Sequence, residues 1–275
     1  MEAYETFPGI EVSFNVFLAS EVKFRHDASD SVLEIYYCRS GRVGWNMHGG
    51  TAVYLGTGDV TAHSMACCAD SAMMFPLGYS EGISISVDLK HLSSICPEVL
   101  KNAGVEADQL RDRFCSGKPS AIPSCSDLEH IFAPLFSAPV SVRISLLKLK
   151  VLEILIYLSN MNSEHKELTQ YFSQQTELIK EIHQQLTEHL DQRFTIAELS
   201  KQYLINTSTL KEIFKAVYGQ PIATYMKEFR VRQAMKLLRE TNATIADIAS
   251  QAGYQTQGKF SSAFQSIVKM SPREY

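Results

Sequence analysis

The chain has 275 residues, enough for two domains that each bury a core. Its formal net charge is −4, which taken alone argues against a nucleic-acid partner. No basic start leads into an apolar core at the N-terminus, so no signal peptide is expected and a soluble, cytoplasmic protein is.

Residues 8 to 88 read as strands. Ile10, Val12, Phe14 and Val16 alternate with polar partners. Val32–Cys38, Arg42–Met47, Thr51–Leu55, Asp59–Met65, Ala72–Phe75 and Ile83–Val87 follow, with glycine turns between most of them. Many short strands at this spacing predict a small β-barrel or jelly-roll. An apolar or mixed ligand would suit its interior, with Tyr36, Trp45, Tyr54 and Phe75 as apolar walls and Arg42 and His48 as polar handles; Phe14, Met47 and Met73 are further candidates.

From Asp88 the pattern turns helical. Asp88–Ile95, Glu106–Phe114 and Asp127–Phe136 are short amphipathic pieces punctuated by Pro97, Pro119, Pro123 and Pro139. Val142–Asn160 is longer and apolar on more than one side, so it can bury one stripe on the barrel and another on a partner. Its core, Ile144 to Leu158, is broken by Lys148, Lys150 and Glu153 and is too short to cross a bilayer. The six cysteines (Cys38, Cys67, Cys68, Cys96, Cys115 and Cys125) form no Cys-x-x-Cys pair and are expected as reduced thiols. Met161 to Gln175 is polar and reads as a linker, followed by a helix from Thr176 to Gln192.

The stretch from Thr195 to Tyr275 is one pattern written twice. Ile196-Ala197-Glu198-Leu199 answers Ile245-Ala246-Asp247-Ile248 at an offset of 49. Past the turn the offset is 50: Leu210 answers Phe260, Phe214 answers Phe264 and Tyr225 answers Tyr275. Thr195 with Glu198, and Thr244 with Asp247, are set to cap the first helix of each copy. A short turn leads to a second helix, and two helices joined this way are a helix-turn-helix. Gly253 stands in the second turn, where a positive φ is cheap.

The outward faces of the second helices carry Thr207, Ser208, Lys211 and Lys215 in the first copy and Thr256, Gln257, Lys259 and Ser262 in the second. Gln can pair with adenine, Lys with guanine, and Ser or Thr with base edges or phosphate. Pro221 opens a joining helix, Ile222 to Glu240, whose nineteen residues make a rod of roughly 28 Å. That is close to one turn of DNA, about 34 Å. Charge divides the same way. Residues 177–275 hold thirteen basic against ten acidic residues, and residues 1–176 hold thirteen against twenty.

On AELS…STLKEIFK…GQP…Y, the bridge RVRQAMKLL and IADIASQAGYQTQGKFSSAFQ…SPREY, residues 177–275 resemble the DNA-binding domain of the AraC/XylS family of bacterial transcription regulators. The resemblance implies two reading helices, Thr207 to Val217 and Thr256 to Val268, in the major groove of promoter DNA. It further implies a cupin-like sensor and dimerisation domain over residues 1–165, homodimerisation through Val142–Asn160, a small-molecule effector, RNA polymerase as a partner, and activation more often than repression. Glu212, Gly258 and Lys269 depart from the family pattern. The expected fold class is α+β in two domains, the second an all-α double helix-turn-helix.

Two other readings stay open: a regulator whose barrel only dimerises, and a cupin metalloenzyme. A metal cupin needs a His-x-His pair followed by Glu and a further His. Here His26, His48 and His63 are isolated, so no metal, cofactor or catalytic residue is expected.

Overall fold

A computed structural model of the chain describes residues 2–23, 28–47, 49–69, 71–115, 119–161 and 167–275. The chain divides into two units, Met1–Ser173 and Gln174–Tyr275.

The first unit begins with β1 (Glu2–Phe7) and β2 (Ile10–Phe17), a hairpin whose turn residue Gly9 holds φ +74°. Then come β3 (Glu21–Lys23), β4 (Val32–Gly41), β5 (Val43–Met47), β6 (Thr51–Leu55), β7 (Val60–Ser64), β8 (Ala72–Met74) and β9 (Ser80–Asp88). Three short helices, α1 (Leu89–Ser94), α2 (Glu98–Asn102) and α3 (Ala107–Phe114), lead to β10 (Ser120–Ile122). The long pair α4 (Ser126–Ser137) and α5 (Arg143–Asn160) precedes β11 (Tyr171–Phe172). The strands form two antiparallel sheets, in the orders β1-β2-β9-β4-β7-β10 and β11-β6-β5-β8-β3. Among the described residues no ladder joins one sheet to the other, so the backbone pairing makes a two-sheet stack.

The two-residue period of the six-stranded sheet sorts its side chains between two environments. Val12, Leu33, Ile35, Ile83, Ile85 and Val87 point to one face and are buried with Leu110 and Phe114 of α3, Phe132 of α4, and Leu147, Val151 and Leu155 of α5. Tyr36 and Cys38 point the other way and pack with Trp45, Met47, Val53 and Met73 of the second sheet. Phe14 faces the helices, its ring 5.8 Å from Phe136. The helical segments thus form a third layer that lets the large sheet bury both faces.

One expectation is corrected here. The stretch read as a polar linker is partly sheet: Tyr171 and Phe172 pair with Ala52 and Thr51, and Leu168 N–H donates to Ala121 O at 2.7 Å. These are backbone bonds, which hydropathy does not register. The second apolar stripe of α5 is also mostly absorbed within the unit. Leu146, Leu152 and Ile156 pack against the same core, leaving Leu149 (64% exposed) and Ile144 (41%) outward. Among the described residues no helix is long and apolar enough to cross a membrane.

The second unit contains α6 (Ser173–Glu188), α7 (Ile196–Gln202), α8 (Thr207–Tyr218), α9 (Ile222–Glu240), α10 (Ile245–Gln251) and α11 (Gln257–Val268). Both capping boxes form: Thr195 and Glu198 close the start of α7, and Thr244 and Asp247 the start of α10. The repeat also holds in the cores. Phe214 and Tyr225 meet edge to face at 5.6 Å, and their counterparts Phe264 and Tyr275 do so at 5.5 Å. The extra residue of the second copy is Gln255. Leu204 and Gly253 both sit at positive φ at the 49 offset, whereas the caps Asn206 and Thr256 are 50 apart.

Helix α6 is a wall of the first module. His183 stacks on Tyr218 at 4.2 Å and hydrogen-bonds Tyr225 Oη at 2.8 Å, and burial lowers its pKa to about 4. The segment after α6 ties the modules together: Leu190 O accepts from Arg230 Nη2 of α9 at 3.1 Å and lies against the α10–α11 turn.

Two left-handed positions are held by residues with side chains, Leu204 (φ +50°) and Lys269 (φ +68°), where the other copy has Gly253 and Gly219. Leu204 is 94% exposed, so its side chain returns little for that conformation. Leu204→Gly and Lys269→Gly are each expected to stabilise their module by about 1 kcal/mol. Slower hydrogen exchange at the α8 and α11 amides would show it.

Candidate nucleic-acid interface and inter-sheet cavity

Helices α8 and α11 each start at a side-chain cap. Asn206 Oδ1 accepts from Thr209 N–H at 2.8 Å, and Thr256 Oγ1 accepts from Lys259 N–H at 3.3 Å. Each ends in a left-handed residue, Gly219 or Lys269. The inner faces bury Leu210, Ile213, Phe214 and Val217 in α8, and Phe260, Ala263 and Phe264 in α11. This burial fixes the opposite faces outward. Thr207, Ser208, Lys211 and Lys215 are exposed on α8, as are Gln257, Lys259 and Ser262 on α11 and Thr256 at its cap.

Helical spacing lines up Ser208, Lys211 and Lys215 along one side. Glu212 is exposed among them and lowers the local positive potential. Thr256 has a second task, because its hydroxyl already holds the helix start. Gln265 and Ser266 continue the exposed face of α11 and were not singled out from the sequence. Gly258 faces open space, with nothing within 4 Å of a Cβ built on it.

Between the two sheets of the first unit lies a cavity of ≈ 340 Å³. Its floor is the large sheet: Ser13, Asn15 and Phe17 of β2, Glu34 and Tyr36 of β4, His63 of β7, and Ser84 and Ser86 of β9. Trp45 of β5 and Met73 of β8 oppose them, with Met65, Cys68 and Ser71 at one end. Asn15 Nδ2 donates to Ser84 Oγ at 2.8 Å, and Ser86 Oγ donates to Glu34 Oε1 at 2.5 Å. Glu34 and His63 are direct cross-strand partners. Burial pushes the Glu34 carboxyl up to about 7, against the Ser86 hydrogen bond and with a smaller push from Glu11.

Of the six residues expected around a ligand, the structure places Tyr36 and Trp45 in the cavity wall, with ring centroids 5.2 Å apart. Phe75 stands behind it, stacked on Phe17 at 4.8 Å. Tyr54 points elsewhere: its ring fills the space beside Gly44 and its hydroxyl lies 3.8 Å from Met74 Sδ. Arg42 lies beside Asp59, whose carboxylate accepts from the N–H groups of Gly56 and Ser124, so its charge serves that turn. His48 lies outside the described residues, as does His26. In the sequence the residues of this polar floor show only as the polar partners of alternating strands.

No disulfide joins the six cysteines. Burial pushes the Cys68 thiol up to about 12 and those of Cys38 and Cys115 to about 11, which keeps them protonated and poorly nucleophilic. Among the described residues no group of three or more His, Cys, Asp or Glu is placed to hold a metal ion.

The family model described as a helix-turn-helix domain matches residues 199–275. The transcriptional activator RhaR of Mannheimia succiniciproducens is 33% identical over 90 residues, which cover 33% of each chain. A putative AraC-like transcription regulator of Streptomyces lividans is 38% identical over 82 residues, covering 30% of this chain and 27% of that one. The chain thus spans about a third of the length of the curated relatives it matches. Fatty-acid-bound ToxT of Vibrio cholerae aligns over 99% of this chain and 96% of its own at 12% identity and a TM-score of 0.38. Residues 199–275 are thus a helix-turn-helix domain, similar in sequence to the matched parts of AraC-like transcription regulators.

Proposed function

We propose that the chain is a sequence-specific DNA-binding regulator that answers a small molecule held between the sheets of its N-terminal unit and acts as an activator. The observation that carries the DNA reading is the pair of capped helices, α8 and α11, with polar outer faces joined by the nineteen-residue α9. Each enters a major groove. Thr207, Ser208, Lys211 and Lys215 serve one half-site, and Thr256, Gln257, Lys259 and Ser262 the other. Lys215 and the two threonines suit phosphate, and Lys211 and Gln257 suit base edges.

The cavity supports the effector reading, since the two sheets leave it open beside the apolar core they share. We assign the unit to the cupin-like sensors on that basis. Two copies would pair through the start of α5, where Ile144 and Leu149 remain exposed beside Val140 and Val142 of the turn before it, and would meet RNA polymerase at a promoter in the bacterial cytoplasm. The name of the RhaR relative supports activation.

Selection of random duplexes by the full chain, sequenced with and without cell extract, tests this. Enriched fragments should carry two short conserved blocks whose centres are about 10 bp apart. Enrichment of a single block would leave only one module reading DNA. No enrichment at low salt would remove the DNA-reading function altogether.

A further inference from the structure

We propose that the inter-sheet cavity takes a compact organic cation, an amine or amidine on an aromatic or branched aliphatic body, with Glu34 as its counter-ion. This rests on the reading that the cavity holds the effector. Its volume, ≈ 340 Å³, is at the small end for ligand pockets. Trp45, Phe17 and Met73 supply apolar wall for a hydrocarbon body. The face of Trp45 is also suited to a cation.

The polar side decides the charge. Among the described lining residues there is no Lys or Arg, and Glu34 is the single carboxyl. An anionic ligand would meet a carboxyl group with no fixed positive charge to answer it. Glu34 instead has one oxygen engaged by Ser86 and its charge suppressed by burial. An ammonium group set against it would let it ionise, turning two costly buried groups into one hydrogen-bonded pair. The neighbouring hydroxyls of Ser13, Ser84 and Ser86 can take the remaining N–H donors. Among the described residues the other titratable groups around Glu34 are His63 on β7, Tyr36 on β4, Glu11 on β2, and Cys67 and Cys68.

The chain has one tryptophan, Trp45, and it lines this cavity, so its fluorescence reports occupancy. Three probes share one body and differ in the head: 2-phenylethylamine, 2-phenylethanol and 3-phenylpropionate. Titrated into the full chain at pH 8, the amine should bind about tenfold or more tighter than the alcohol, and the carboxylate weakest. Between pH 6 and pH 8 the amine's affinity should rise about tenfold as Glu34 ionises, while the alcohol's stays level. Glu34→Gln keeps a partner for Ser86 and should erase both the preference and the pH rise. The pH series needs no variant, so a misfolded variant does not stall the test.

Equal binding of amine and alcohol, tighter binding of the carboxylate, or no change in Trp45 fluorescence with any probe would overturn the proposal. If the amine binds as expected but the affinity for selected DNA does not move, the ligand class stands and the effector reading fails.

Discussion

Gly253→Ala is expected to cost the C-terminal unit about 3–5 kcal/mol, a large share of the stability of a domain this size. Gly253 holds φ +78° in the α10–α11 turn, a region that already costs a side-chain-bearing residue about 1–2 kcal/mol. The larger cost is the neighbour. A Cβ built on Gly253 would lie 1.8 Å from Leu190 O and 2.8 Å from its carbonyl carbon. Leu190 O cannot simply retreat, because Arg230 Nη2 holds it at 3.1 Å and also holds Gln192 O at 3.2 Å. Relief therefore requires moving α10–α11 away from the α6–α7 connection, and the second reading helix moves with it. The variant should lose selected-DNA binding and exchange its α11 amides rapidly, with Trp45 fluorescence in the other unit unchanged. Gly258→Ala is the contrast: it meets nothing, sits in a helix, and should stabilise α11 by up to about 1 kcal/mol. Equal behaviour of the two variants would contradict the argument from Leu190.

The same pair of glycines shows what could be read from the sequence. The role of Gly253 was visible because turn chemistry is local, and both capping boxes were visible for the same reason. The repeat of Phe214 and Tyr225 as Phe264 and Tyr275 is also legible, and the structure closes each pair as an equivalent ring contact. What made Gly253 irreplaceable, the carbonyl of Leu190, was not legible, since residues 63 positions apart meet only through the packing of α6 against α9. Seven strands of the N-terminal unit were legible, the edge strands β1, β3, β10 and β11 were not, and no strand was legible face by face. In β2 and β9 the alternation of polar residues, serines among them, with Val, Phe and Ile gives the period correctly, but period alone cannot say whether the polar side meets water or a second sheet. Glu34 and Ser86 were therefore passed over. Arg42 and Tyr54 drew notice as polar handle and aromatic wall, although Asp59 and Gly44 claim them for structure.

Disabling one reading helix should reduce affinity for the selected duplex about 10²–10⁴-fold, because two linked modules gain from each other only while both engage. Lys211→Ala with Lys215→Ala does this in α8, and Gln257→Ala with Ser262→Ala in α11. All four side chains are exposed and outside the cores, so each change should leave stability within about 0.5 kcal/mol. The two pairs should nevertheless differ in kind. Removing Lys215, the phosphate partner of the α8 pair, lowers the slope of log affinity against log salt by about 1, whereas removing Gln257 and Ser262 leaves the slope alone. Loss of discrimination should also separate in space, the α8 pair relaxing base choice in one block of the site and the α11 pair in the other. A site whose two blocks relax together under either pair would mean that the helices do not read separate grooves, and α9 would then be a core helix rather than a spacer. A rod of nineteen residues explains selection at two places one turn apart only if each place answers to its own helix.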